Sequence, residues 1–183
     1  MKLTSKRITL RMHKNEDAYA FKEMLKDEIA RKYTGGTVDK TIEEIIEYFK
    51  KLNTGFTSEL NTIISNKNNF EFAIVNNIDS KYIGYCGIQY CDTLNGLELL
   101  YGLKREYWGQ GLAFEAANTV IQYSFKHLSL DIIEAVVNPE NIASEKILIK
   151  CGFRYDKKIE WPNQGKVKKY KMDKEIWLTT TST

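Results

Sequence analysis

The stretch from Leu97 to Val137 constrains the fold more than any other part of the chain. A strand-like run, Leu97 to Leu103, leads into Trp108-Gly109-Gln110-Gly111-Leu112-Ala113, and an amphipathic helical run continues to about His127. In that helix Leu112, Ala116, Ile121 and Phe125, with Ala113, Ala117 and Val120, make a wide apolar face. Ile132 to Val137 follows as a near-continuous apolar run, which suits a strand buried on both faces. Strand, helix and strand in this order predict a right-handed parallel crossover. The glycine turn then lies at the carboxyl end of the middle strand, where open sheets bind ligands. Gly109 and Gly111 let the main chain approach an anion with no Cβ in the way. The helix start adds unpaired N–H groups and a positive dipole end of about half a charge. A pyrophosphate-bearing ligand suits this turn, although glycines before a helix also make plain turns, so the motif alone does not decide.

The flanks read less sharply. Lys6 to Met12 is a strand with Ile8, Leu10 and Met12 on one face. Asn15 opens a helix whose apolar stripe is Ala18, Phe21, Met24, Leu25 and Ile29, and Gly35-Gly36 breaks the chain. Thr41-Ile42-Glu43-Glu44 is a capping box that starts a second helix, running to about Leu52. Asn53 to Asn69 is polar and carries no clear period. Phe70 to Val75, Tyr82 to Cys91 and Leu97 to Leu103, joined by polar turns, form an antiparallel meander. Asn141 to Cys151 is a shorter helix ending at Gly152, and Phe153 to Ile159 and Val167 to Asp173 are the closing strands. Nothing repeats and no linker divides the chain, so residues 1–178 form one mixed α/β domain and 179–183 a tail.

Composition excludes several classes. The formal net charge is only +3, and the densest basic pieces, Lys157-Lys158 and Lys166 to Lys171, interleave with Ile159, Val167 and Tyr170. They read as solvated strand faces, and no nucleic-acid partner is expected. No apolar run approaches the ~18–20 residues that span a bilayer, and Met1-Lys2-Leu3-Thr4 lacks a signal peptide's apolar stretch, so no membrane partner and a cytoplasmic location are expected. Three cysteines, an odd number, argue against a disulfide framework. Cys86 and Cys91 lack a second Cys or His pair at metal-site spacing and read as free thiols, Cys151 reads as core, and no metal is expected. His13 and His127 are far apart with no triad pattern around them.

Further motifs stand in a recurring order. Lys6-Arg7-Ile8-Thr9-Leu10-Arg11 and Glu16-Asp17-Ala18 open the chain, and Tyr82-Ile83-Gly84-Tyr85-Cys86-Gly87-Ile88 lies in its middle. Glu106-Tyr107-Trp108-Gly109-Gln110-Gly111-Leu112-Ala113-Phe114-Glu115-Ala116 follows. Glu134-Ala135-Val136-Val137-Asn138-Pro139-Glu140-Asn141-Ile142-Ala143-Ser144 and Lys150-Cys151-Gly152-Phe153 complete the set. In this order and spacing the chain resembles the GNAT superfamily of acyl-CoA-dependent N-acyltransferases, and within it the RimJ/RimL-like ribosomal-protein N-terminal acetyltransferases.

The resemblance implies a single-domain GNAT fold: a mixed, mostly antiparallel central sheet with flanking helices. Its fourth and fifth strands, here Leu97 to Leu103 and Ile132 to Val137, are splayed. It implies acetyl-CoA as co-substrate, with the pyrophosphate on main-chain N–H groups of Trp108, Gly109, Gln110, Gly111, Leu112 and Ala113. The pantetheine arm then lies along Tyr101, Gly102 and Leu103. The family loop often begins with Gln or Arg where this chain has Trp108, a change usual in the RimJ/RimL-like branch. Asn141 reads by itself as a helix N-cap, and by resemblance its amide also bonds the pantetheine. Many relatives carry a Tyr seven residues after this Asn that protonates the departing thiolate. Leu148 stands there in this chain. Ser144 is the implied replacement, against a solvated or back-bonded hydroxyl or a thiol that needs no dedicated acid.

Glu98 is the candidate base, at the acidic position of the family's Ala-Glu-Leu-Gly-Tyr-like run, against a plain solvated strand carboxylate. Leu97 and Leu99 flank it, so it faces the other side of the sheet. Glu71 and Glu115 are alternatives, and Glu115 reads more simply as a first-turn helix carboxylate. The implied reaction is direct attack by a neutral amine, accelerated mostly by approximation, with the Tyr101 main-chain N–H polarising the carbonyl. A peptide α-amine is ~10% neutral at pH 7 and a lysine ~0.04%, a difference worth about 3 kcal/mol. The expected acceptor is therefore a protein N-terminal α-amine. The alternatives are a small-molecule amine such as an antibiotic or polyamine, and a module that binds acyl-CoA without turnover. Acceptor pockets in the family correspond to Ala30 to Asn69 and Glu160 to Lys171 here, with Trp161 as a wall or plain packing. Homodimers are common among such relatives.

Overall fold

Short apolar runs separated by polar turns build most of this molecule. A computed structural model describes residues 1–33, 40–55 and 69–181. The described strands are β1 (Lys2–Thr4), β2 (Ile8–Arg11), β3 (Phe70–Asn76), β4 (Tyr82–Cys91), β5 (Gly96–Leu103), β6 (Ile132–Val137), β7 (Arg154–Trp161) and β8 (Gly165–Asp173). They join one sheet in the order β1-β2-β3-β4-β5-β6-β8-β7. Each neighbouring pair is antiparallel except β5 with β6, which is parallel. This is the mixed, mostly antiparallel sheet expected, and the parallel pair belongs to the strand–helix–strand unit of residues 97–137.

Helices cover both faces. On one, α1 (Asp17–Lys26) and α3 (Ile42–Gly55) bury Phe21, Met24, Ile45 and Phe49 against Ala73 and Tyr82. On the other, α4 (Leu112–His127) buries Ala116, Ala117, Val120, Ile121 and Phe125 against Ile8, Phe72 and Cys86. Phe72 and Ala73 are adjacent in β3, so alternation alone sends them to opposite layers. Three further α-helices are α2 (Glu28–Arg31), α5 (Ile142–Cys151) and α6 (Lys174–Thr181), and a 3-10 turn spans Arg105–Tyr107. None of the described helices is long and apolar enough to cross a membrane.

The elements depart from the sequence reading in four places. The first strand is shorter than Lys6 to Met12, and an unforeseen β1 pairs beside it, Lys2 opposite Arg11. With only Leu3 half-buried, three residues carry no readable period. The helix expected through Ile29 breaks at Asp27, which is extended (φ −72°, ψ 100°). Its carboxylate accepts from the N–H groups of Ile29 (3.1 Å) and Ala30 (3.2 Å), starting α2 afresh, and Ile29 is left exposed. β6 is buried on one face only: Ile133, Ala135 and Val137 are covered, whereas Ile132 is half-exposed. The expected tail begins inside α6, whose Trp177 ring lies 5.3 Å from that of Phe125. The capping box forms as read, Thr41 N–H donating to Glu44 Oε2 (2.7 Å) and Glu44 N–H to Thr41 Oγ1 (3.2 Å). Gly35-Gly36 and residues 56–68 lie outside the described residues.

Candidate active site

β5 and β6 touch in register at one pair, Glu98 opposite Glu134, and no pairing between them continues toward Leu103. The residues after Glu98 therefore line a gap between parted strands. A cavity of about 1120 Å³ opens there, large enough for two ligands side by side. Tyr101, Gly102 and Leu103 line it from the strand, Asn141 and Ser144 from α5.

At the end of β5 the chain turns through the glycine loop into α4. Gly109 (φ 71°) and Gly111 (φ 75°) are both left-handed, and nothing lies within 4 Å of a Cβ built on Gly109. Clearance was the reason read from the sequence; the backbone conformation is a second and more direct demand for glycine here. Gly111 is the N-cap and supplies no side chain to the helix start. The first intrahelical bond is Glu115 N–H to Gly111 carbonyl (3.1 Å). Among the described residues nothing takes up the N–H groups from Gly109 to Phe114, which is the donor set an anion needs. Trp108, Gly109 and Gly111 to Ala113 line the cavity. The Gln110 side chain does not: its Nε2 donates to the Glu106 carbonyl (3.0 Å). Trp108 has a structural reason to replace a polar residue, because its Nε1 donates to the last carbonyl of β5, Leu103 (2.8 Å).

Sequence reasoning missed the clamp that holds this loop. Arg7 Nη1 donates to the Gln110 carbonyl (2.7 Å) and its Nε to Glu115 Oε2 (2.7 Å). Glu115 Oε1 also accepts from Arg7 N–H (2.8 Å) and Ser5 Oγ (2.6 Å). Burial pushes the Glu115 carboxyl up, but the Ser5 and Arg7 donors outweigh it and hold it below the usual range. Glu115 is thus engaged as a tether and is not placed to act as a base. Only the pairing of chain positions more than a hundred residues apart makes this visible.

Glu98 is buried, 7% exposed, and lines the cavity. Gln89 Nε2 donates to its Oε2 (2.8 Å). Burial raises its carboxyl above the ordinary value; the Gln89 and Cys91 hydrogen bonds oppose this, and the Glu134 charge adds to it. The plain solvated carboxylate is therefore not what the fold makes of this residue. Lys169 holds Glu134, the facing carboxylate, in an ion pair.

Ser144 lies one turn into α5, whose N-cap is Asn141: Asn141 Oδ1 accepts from Ser144 N–H (3.1 Å). The Tyr101 hydroxyl lies 2.8 Å from Ser144 Oγ, either being the donor, and 3.2 Å from the Ser144 carbonyl. Burial pushes the Tyr101 phenol well up, with the Ser144 bond opposing, so it stays protonated. Leu148 is fully packed, 1% exposed. The phenol that many relatives carry on this helix reaches Ser144 here from β5 instead. The sequence assigns Tyr101 a main-chain role at the carbonyl and a place along the pantetheine; the partner of its phenol comes from the fold.

The deep side of the cavity lies against α1 and α3. Phe21, Tyr48 and Tyr85 line it together with Glu71, and Trp161 lines it from the closing hairpin. Glu71 is 3% exposed, with Oε1 3.1 Å from His13 Nε2. His13 in turn stacks on Phe49 at 4.1 Å. The lone carboxylate in Phe70-Glu71-Phe72-Ala73-Ile74 was the signal for a buried polar position, and only folding brought His13 to it. Among the described residues no group of three or more His, Cys, Asp or Glu is placed to hold a metal ion.

Unpaired N–H groups at a helix start, strands parted beside them and buried proton-handling groups facing the same cavity make a site that can hold an anionic ligand and move a proton next to it. Residues 7–154 match the Acetyltransferase (GNAT) domain family, and the chain belongs to it. It is an acyltransferase of the N-acetyltransferase kind, and the family uses acetyl-CoA. The uncharacterized N-acetyltransferase p20 of Bacillus licheniformis is 32% identical over 154 residues, 83% of this chain and 82% of that one. Spermidine N-acetyltransferase from Vibrio cholerae, solved with CoA and spermine, has the same fold: TM-score 0.74 at 20% identity, covering 93% of this chain and 98% of that one. Ribosomal-protein-S5-alanine acetyltransferase from Vibrio fischeri is equally close, TM-score 0.75 at 19% identity over 97% and 98% of the two chains.

Proposed function

We propose that the chain transfers an acetyl group from acetyl-CoA to a primary amine by direct attack in a ternary complex. The observation that carries this is the buried carboxylate of Glu98 in the same cavity as the free N–H groups of the glycine loop. Acetyl-CoA supplies the thioester. Main-chain N–H groups from Gly109 to Ala113 hold its pyrophosphate; the Trp108 N–H, expected among them, donates instead to the Arg105 carbonyl (3.0 Å). Tyr101, Gly102, Leu103 and Asn141 align the pantetheine beside the gap. The Tyr101 N–H polarises the carbonyl. As the amine nitrogen bonds to the carbonyl carbon and the C–S bond breaks, Glu98 takes the amine proton, directly or through water. The Tyr101–Ser144 pair donates to the leaving sulfur. A phenol pushed above its ordinary value is a weaker acid than a thiol, so this pair stabilises the thiolate by hydrogen bonding.

The acceptor this cavity favours is a small cationic amine, because two buried carboxylates, Glu98 and Glu71, line it. A protein N-terminal α-amine is the second reading; its ready deprotonation put it first on sequence grounds, and the RimJ/RimL-like resemblance points the same way. The three free cysteines accord with a reducing cytoplasm. Incubation with acetyl-CoA and a panel of small amines and N-terminal peptides, read by thiol release and by mass, tests the proposal. Transfer to a small amine supports it, transfer to peptides alone moves the second reading to the front, and acetyl-CoA binding with no transfer to any amine refutes it.

A further inference from the structure

Glu71 has no part in the chemistry proposed above, yet it is buried and faces the same cavity. Register places it with Glu98. Glu71 lies opposite Gly87, Gly87 opposite Leu100, and Glu98 opposite Gln89. Directly opposed residues share a face, as do alternate residues along one strand, so Glu71 and Glu98 project to the same side of the sheet. Between them stands Gly87, on which β3 closes so tightly that a Cβ would lie 2.2 Å from the Phe70 carbonyl oxygen. Two strand spacings and two residues of rise set their Cα atoms roughly 12 Å apart. That is too far for one nitrogen to serve both.

The surroundings of Glu71 suit a cation. Neither His13 nitrogen nor Glu71 Oε1 has an aligned hydrogen-bond partner among the described residues, although the two side chains lie 3.1 Å apart. An unmet carboxylate oxygen at this depth demands a donor. Aromatic rings wall the approach, Phe21 standing 5.8 Å from Tyr85 and 6.2 Å from Tyr48. Ring faces attract ammonium groups, and Lys40 Nζ already sits 5.2 Å from the Tyr48 ring centre. The Tyr48 and Tyr85 phenols are held well above their ordinary values, by burial first and then by the charge of Glu71, so they remain neutral donors.

We propose that Glu71, with the aromatic wall of Phe21, Tyr48 and Tyr85, seats a second cationic group of the acceptor, so that the enzyme takes amines bearing two positive charges. The reacting nitrogen then lies at the parted strands near Glu98 while the other nitrogen is held two strands away. A linear diamine of about four to six methylenes matches that spacing. The inference rests on the primary-amine reading and names the acceptor class for it.

The test compares α,ω-diamines with n-alkylamines of equal length, by calorimetry on the CoA-bound enzyme and by steady-state transfer. The wild type should bind the diamine at least tenfold more tightly. Glu71→Gln should abolish that preference, raising KM for the diamine at least tenfold and for the alkylamine by a clearly smaller factor, with the CoA affinity changed less than twofold. Equal binding of the two amines by the wild type overturns the proposal without recourse to any variant. So does a folded, CoA-binding Glu71→Gln protein that keeps the preference. Diamine preference in binding with no acetyl transfer would leave this site standing and refute the proposed activity.

Discussion

Glu98 is held where its charge is costly, and a base benefits from that. Burial lifts the carboxyl toward the working pH, which improves its match to the proton it must accept. The deprotonated form is the active one, so kcat/KM should fall as pH drops through a value above the ordinary carboxylate range. The acceptor's own ionisation is identical in wild type and variant, so the difference between their profiles isolates this residue. Glu98→Gln is expected to lose that acid limb and about 10²-fold or more in kcat. A variant with an unchanged profile would remove Glu98 from the mechanism. Stability should move oppositely. Because the folded-state value is raised, the native protein keeps this proton where the unfolded chain has lost it, and stability falls as pH rises through that window. Glu98→Gln should therefore be at least as stable as wild type near neutrality, measured by thermal denaturation. Tyr101→Phe should lower kcat roughly 10- to 100-fold with little change in acetyl-CoA affinity. An equal loss in affinity would mean that the phenol only positions α5.

The glycine loop works as an element because a distant strand end fastens it. Ser5 and Arg7 lie just before β2, and Glu115 lies in the first turn of α4. Arg7 is half-exposed, so solvent weakens its ion pair, and the hydrogen bond to the Gln110 carbonyl carries most of the constraint. Arg7→Ala should raise Kd for acetyl-CoA roughly 3- to 10-fold and leave kcat at saturation nearly unchanged, as read by calorimetry and kinetics. A second expectation concerns α5. Leu148→Tyr restores the phenol position of many relatives, but Leu148 is 1% exposed, packed into the core at the cavity wall. It should cost about 1–3 kcal/mol of stability by overpacking and give no gain in rate, checked by denaturant unfolding and turnover.

For the whole molecule, one cavity spans from the parted strands to the layer of α1 and α3, so ligand binding draws on both sides of the sheet. Acetyl-CoA at about 100 times its Kd should stabilise the fold by about 2.7 kcal/mol. In a domain of this size that is a rise in Tm of roughly 5–10 °C. No shift in the well-folded protein would contradict the assignment of the glycine loop. Much of this architecture was legible beforehand, since β3, β4, β5, α4 and α5 each carry a strong local period or cap. β1 and α6 were not, because three residues and a threonine-rich end hold too little pattern. Asp27 broke a readable helix by offering its carboxylate to the next turn.

Along the chain, local patterns suffice for the strand–glycine–helix unit, the capping box, the N-cap at Asn141 and the order of elements, because hydrophobic period and backbone propensity act between near neighbours. The pairing of Tyr101 with Ser144, of Arg7 with Glu115, and of Glu71 with His13 depends on register and layer packing. Those contacts join residues from 43 to 108 positions apart, and no local preference encodes them. Sheet register and the choice of face set them, and with them which carboxylates share a cavity.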